Sequence, residues 1–175
     1  MKLALSALVV AVLAASSGCV SKPDNITPVK PFDSKLYLGK WYEIARLDQR
    51  FERGLSRVTA EYSMRPDGGI KVLNRGYESE KNVYKESEGK AYFVGATDTA
   101  YLKVSFFGPF YGSYIVFDLD PAYRTSMVGG PDTSYLWILS RTPTLDAATT
   151  TRLVEKAKSL GYATDKLIYV DQTAP

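Results

Sequence analysis

The sequence predicts an all-β protein: an eight-stranded up-and-down antiparallel β-barrel with one C-terminal α-helix packed on the outside and a short final strand. Three observations carry that expectation. From Phe32 onward the 175-residue chain breaks into short β-like runs at regular spacing. Turn clusters punctuate the runs: Pro66-Asp67-Gly68-Gly69, Thr97-Asp98-Thr99-Ala100, Gly108-Pro109, Asp120-Pro121 and Gly129-Gly130-Pro131-Asp132. Thirteen tyrosines and seven phenylalanines give a sheet much aromatic surface to bury.

In chain order, residues 1–18 read as an export signal. Lys2 supplies positive charge, and residues 3–15 are apolar and uncharged. That run is too short and wrongly flanked for a membrane span. Residues 19–31 hold Pro23, Pro28 and Pro31 with polar residues and no periodicity, which predicts a tether. Residues 32–175 form the single domain. Its strands are expected at 41–49, 56–64, 70–77, 89–96, 101–107, 113–119, 124–128 and 134–141. Short connections favour antiparallel neighbours, because parallel pairs need long crossovers. Closing the sheet removes its edges, and eight strands leave room for one small ligand. After the barrel, Thr144 can cap a helix whose apolar stripe is Leu145, Leu153, Ala157 and Leu160, with Gly161 ending it. Residues 166–170 read as the final strand.

Composition closes several function classes. There is no histidine, and Cys19 is the only cysteine. Ser-His-Asp and Cys-His machinery and the common zinc sites are therefore out of reach. The formal charge is +3, and no basic tract is interleaved with aromatics, so nucleic acid is not an expected partner. Asp118, Asp120 and Asp132 lack calcium-loop spacing, and Gly129-Gly130-Pro131 opens no helix. No metal or cofactor is expected. Glu78, Glu80, Glu86 and Glu88 are read as solvated acids of a polar loop.

Gly39-Lys40-Trp41-Tyr42-Glu43 opens the first strand, and Arg141 closes the last. In a barrel where both ends lie together, the guanidinium can sit over the indole, worth roughly 0.5–2 kcal/mol. This pair, with Tyr37 to Arg46, Arg50 to Leu55, Val104 to Gly112 and Tyr135 to Pro143, resembles the lipocalins, in particular bacterial lipoprotein members similar to apolipoprotein D. Asp118-Leu119-Asp120 departs from a further motif of that family. The resemblance implies a calyx whose floor is bolted by Trp41 and Arg141.

If Trp41 marks the floor, counting strands puts residues 50–55, 78–88, 108–112 and 129–133 at the mouth. Period-two alternation then places Trp41, Glu43, Ala45 and Leu47 on one face and Tyr135, Trp137, Leu139 and Arg141 on another. Both faces point inward if Trp41 and Arg141 touch, so Trp137 and Leu139 line the cavity. Glu43 becomes an inward carboxylate that needs a tyrosine hydroxyl, a basic group or a polar ligand head. The resemblance further implies Asn74, Ser87 and Tyr111 as lining positions. Phe51, Phe110 and Tyr111 put aromatic surface on the mouth loops.

Ser16-Ser17-Gly18-Cys19 resembles a bacterial lipoprotein signal, with Ser16 where leucine is usual. That resemblance implies acylation of Cys19, and Val20 after it favours sorting to the outer membrane. The expected function is binding, storage or transport of a fatty acid, lysophospholipid or phospholipid, for membrane maintenance or stress response. The expected partners are that ligand and the outer-membrane bilayer, with a homodimer left open. The alternatives are a lipid-modifying enzyme using Glu43 and a tyrosine, or a ligand-free structural lipoprotein.

Overall fold

The computed structural model describes residues 20–173, so the expected export signal and Cys19 lie outside the described residues. A four-residue helix α1 (Ser34–Tyr37) leads into β1 (Gly39–Arg46), β2 (Leu55–Met64), β3 (Ile70–Glu78) and β4 (Val83–Phe93). Then follow β5 (Tyr101–Ser105), β6 (Gly112–Leu119), β7 (Thr125–Gly129) and β8 (Leu136–Ser140). Helix α2 (Ala147–Ser159), a 3-10 turn (Thr164–Lys166) and β9 (Ile168–Tyr169) complete the chain. Each of the eight strands pairs with its sequence neighbour, and β1 pairs with both β2 and β8, so the sheet closes. The expected fold class is the observed one.

Two β-bulges set which side chains enter the barrel. Between Glu43 and Ala45 the partner on β8 advances only from Leu139 to Ile138, so Ile44 is an extra residue. Glu43 points inward, Ile44 and Ala45 both face out, and Arg46 turns back in. The expectation that Ala45 and Leu47 share the inner face therefore fails; both pack in the outer core. A second bulge, between Val116 and Asp118, likewise turns Phe117 and Asp118 outward together.

The outer core lies between the barrel wall and α2. Leu153 and Ala157 of the expected stripe are fully buried against Ile44, Met127, Leu136 and Ile138. Lys156 and Arg152 reach Asp118 on β6 at 2.6 and 3.3 Å, which fixes the helix on the wall. The cap is Asp146 rather than Thr144. The carboxylate of Asp146 accepts from the Thr149 backbone N–H at 2.8 Å, the bond a cap must make. β9 docks on β1 where the β1–β2 pairing has run out, and the Gln172 amide donates to the carbonyls of both Glu43 and Val58 at 2.8 Å.

Residues 20–31 are not a free tether. They form a strap down the outside of the barrel, because Ile26 is 1% exposed, seated among Phe117, Gly129 and Tyr162. Val29 is hydrogen-bonded on both sides, its N–H to Val116 and its carbonyl from Ala100. The three prolines remove donors without removing these two contacts, so a sequence with no periodicity still binds. β4 also starts six residues before its expected first residue. Its upper half pairs with β3 through Tyr77–Tyr84, Arg75–Glu86 and Lys71–Glu88, so Glu86 and Glu88 are strand residues, not loop acids.

Candidate functional site

The floor is built first. Gly39 turns the chain from α1 into β1 at φ +89°, a left-handed conformation that favours glycine. That turn lays Trp41 across the barrel base, fully buried, with its indole N–H donating to the Tyr37 carbonyl at 2.8 Å. The Arg141 guanidinium lies 3.9 Å from the Trp41 ring centroid. It donates to the carbonyls of Lys40, Leu36 and Leu38 at 2.8–2.9 Å and to that of Tyr123 at 3.2 Å. One side chain thus ties α1, β1, the β6–β7 turn and the end of β8. Above Trp41, Tyr114 shares hydroxyl hydrogen bonds with Tyr37 at 2.9 Å and Tyr62 at 2.7 Å, and Tyr37 reaches Ser126 at 3.1 Å. Burial pushes the Tyr37 phenol up to about 12 and raises Tyr62 and Tyr114 well above their ordinary value. The lower barrel is a plug of buried aromatic rings whose phenols stay protonated.

A charged junction sits over the plug on the β1–β8 wall. The bulge brings Arg46 onto the face of Glu43, and the two bond at 2.6 Å with both side chains buried. Arg46 also donates to the Glu52 carbonyl at 2.8 Å, and its Nε stands 3.9 Å from the Glu52 carboxylate. That carboxylate accepts the Trp137 indole N–H at 3.0 Å. Two buried carboxyls face one guanidinium, so one negative charge is in surplus. Burial, with the like charge of Glu52 second, pushes Glu43 up to about 8 even beside Arg46; burial raises Glu52 as well. The titration belongs to the pair.

The opposite wall is open, because β4 pairs with β5 only from Lys90 onward. Along β4 every residue from Val83 to Glu88 is exposed, on both faces of the strand, and burial returns only at Gly89. Register fixes the faces: Val72 and Ile70 line the interior, so their parity mates Asn74, Gly76 and Glu78 do too. Ser87 lies opposite Asn74, on the inner face, and is nonetheless exposed. Glu78 and Lys85 pair at 2.8 Å on that face at the rim.

The residues expected from sequence are thus partly assembled. Trp137 sits at the junction, facing in and half-buried, and Leu139 points in but is covered by the floor cluster. Glu43 finds a basic partner and no tyrosine. Asn74 and Ser87 stand side by side on the open wall. Tyr111 is a correction: its ring packs against Tyr92 at 6.4 Å and under Lys103 at 5.1 Å, outside the barrel. Gly112 takes the inward register opposite Val104, which turns the preceding residue out. Arg46 and Glu52 were not among the expected site residues, since only the bulge turns Arg46 inward. The one cue was an inward Glu43 that needed a cation.

A groove of about 650 Å³ runs outside the barrel between α2 and the β6–β7 turn. Its three acids are already engaged, Asp118 with Lys156, Asp120 with Arg124 and Asp146 as the cap of α2, and it is separate from the interior. Among the described residues no acidic cluster could hold a metal ion.

Residues 32–172 match the family model described as a lipocalin-like domain. The chain is 58% identical to the outer membrane lipoprotein Blc of Vibrio cholerae over 157 residues, covering 89% of this chain and 92% of that protein. It is 51% identical to the outer membrane lipoprotein Blc of Escherichia coli K12, covering 96% and 95%. Among solved structures, insecticyanin from the tobacco hornworm superposes with a TM-score of 0.70 at 24% identity over 86% of each chain, a likeness of fold.

Proposed function

This chain belongs to the lipocalin family, and we propose that it is a lipid-anchored carrier at the outer membrane that binds a fatty acid, lysophospholipid or phospholipid in its barrel. The observation that carries the reading is the upper half of β4, where inward-facing Ser87 is exposed. There the strand is still paired with β3 but no longer with β5, so the wall opens to solvent above the floor plug. That opening gives a ligand a way into the barrel above the buried floor. Each methylene that enters the barrel gains about 0.8 kcal/mol, offset by the chain's lost freedom. Asn74 and Ser87 offer an amide and a hydroxyl to a polar head near the rim, and Trp137 lies on the facing wall. The relatives' names, outer membrane lipoprotein, support acylation at Cys19 and outer-membrane placement, and the carrier is proposed to serve membrane maintenance or a stress response. A binding role fits better than an enzymatic one, since the Glu43–tyrosine pair that acid–base chemistry needs is replaced by Glu43–Arg46.

Mass spectrometry of lipid that co-purifies, followed by titration with lysophospholipid under tryptophan emission, tests the proposal. The domain has two tryptophans, and Trp41 is sealed in the floor. The emission change is expected to saturate and to vanish in Trp137→Phe. Silence across lipid classes with the barrel intact would reject the carrier reading in favour of a ligand-free lipoprotein.

A further inference from the structure

The path of the N-terminal strap can be followed by its contacts from one end of the barrel to the other. Phe32 donates its N–H to Asp98, in the β4–β5 turn at the floor. Val29 bonds Val116 and Ala100 higher up, and Ile26 lies against Gly129 at the upper end of β7. Ser21 is at the mouth. Its carbonyl accepts the hydroxyl of Ser113, two residues after the β5–β6 mouth loop, and its own hydroxyl reaches Pro131 in the β7–β8 mouth loop at 3.5 Å. The Val20 carbonyl accepts the Tyr101 hydroxyl. One peptide unit separates Val20 from Cys19, about 3.8 Å between Cα atoms. Attachment of an anchor at Cys19 would therefore fall close to Val20 and Ser21, at the mouth end of the strap.

The same rim carries the most exposed aromatic surface of the described chain. Phe107 and Phe110 of the β5–β6 loop are 80% and 79% exposed, and Phe51 of the β1–β2 loop is 66% exposed. The floor has only Leu36 and Met64 to set against them, at the end away from the strap's start. Among the described residues every strongly exposed phenylalanine is at this one end of the barrel, an asymmetry that fits contact with an apolar phase there.

We infer that the barrel docks mouth-down on the bilayer that holds its anchor, with Phe51, Phe107 and Phe110 entering the lipid interface. The inference rests on the reading of Cys19 as acylated. It makes the rim a bilayer-binding surface, and it lets an amphiphile pass between the bilayer and the cavity without crossing open water.

The test uses the full chain purified from membranes, with acylation read from the mass of the peptide that carries Cys19. It is reconstituted in phosphatidylethanolamine–phosphatidylglycerol vesicles containing lipid with a nitroxide on its acyl chain. A polarity-sensitive fluorophore is placed at the mouth through Phe110→Cys or at the floor through Ala122→Cys, both exposed positions. Quenching is expected to be several-fold stronger at the mouth than at the floor, with a blue shift at the mouth alone. With acylation confirmed, equal quenching at both ends, or stronger quenching at the floor, would overturn the inference. So would a mouth fluorophore that is shielded without being quenched and cross-links to a second copy, which would make the rim a dimer interface. An unmodified Cys19 would sink the anchoring reading itself, and the peptide mass alone identifies that outcome.

Discussion

Glu43, Arg46 and Glu52 set the pH behaviour of the domain, because their two carboxyls share one buried guanidinium. Folding raises Glu43 from 4.5 to about 8, so between those values the folded state keeps a proton that the unfolded chain releases. The stability this group contributes is present below pH 4.5 and is lost as pH rises through 8. Asp48, Asp120, Asp146 and Asp171 are held below their ordinary value by hydrogen bonds, so their contribution is lost in the opposite direction, as pH falls below about 4. Thermal melts are expected to show Tm falling from pH 5 to pH 8, and Glu43→Gln is expected to flatten that slope. A wild-type Tm that climbs across the interval would refute the assignment. Removing the cation is the harsher change: Arg46→Met strands both carboxyls and is expected to cost about 3–5 kcal/mol in urea unfolding. Sequence periodicity reaches Glu43 and stops there. Arg46 lies three residues on, a parity that faces out in any regular strand, and no local composition announces the bulge that reverses it.

At the scale of elements, what period-two alternation reveals is a strand with one wet and one dry face. The lower half of β3 is legible for that reason, with Ile70 and Val72 buried and Lys71 and Leu73 partly open. By contrast β1, β6 and β8 read as dense apolar runs, because α2 and the strap cover their outer face. The upper half of β4 is not legible, because solvent reaches both faces and Val83 to Glu88 carry no apolar stripe. The exposure that hides this strand half from the sequence is also what leaves Ser87 open at the proposed binding wall. The strap is hidden for a different reason. Its prolines and polar residues have the composition of a linker, and a single side chain, Ile26, carries most of its burial. Ile26→Ala is therefore expected to destabilise the domain by about 2–5 kcal/mol, a core-like cost that a free tether would not incur. Urea denaturation measures it, and limited proteolysis near Lys22 and Lys30 should quicken in the same variant. An unchanged midpoint would return residues 20–31 to the status of a linker.

At the scale of the whole molecule, the barrel separates a sealed end from an open one, and Arg141 maintains the sealed end. Its planar fork reaches carbonyls of residues 36, 38, 40 and 123 at once, a geometry that a lysine ammonium at the tip of a flexible stem does not reproduce. Arg141→Lys keeps the charge and removes the fork, and is expected to cost roughly 1–3 kcal/mol. The loss should be local in its signature. Hydrogen exchange at the Trp41 indole N–H should accelerate, since its acceptor Tyr37 lies between Leu36 and Leu38, whose carbonyls the guanidinium holds. The saturable emission change of Trp137 on titration with lysophospholipid should persist, because Trp137 is tied to Glu52 and Arg46 instead. If the variant lost that response while remaining folded, floor and cavity would be one cooperative unit, and the Trp41–Arg141 bolt would shape the binding site as well as close the barrel beneath it.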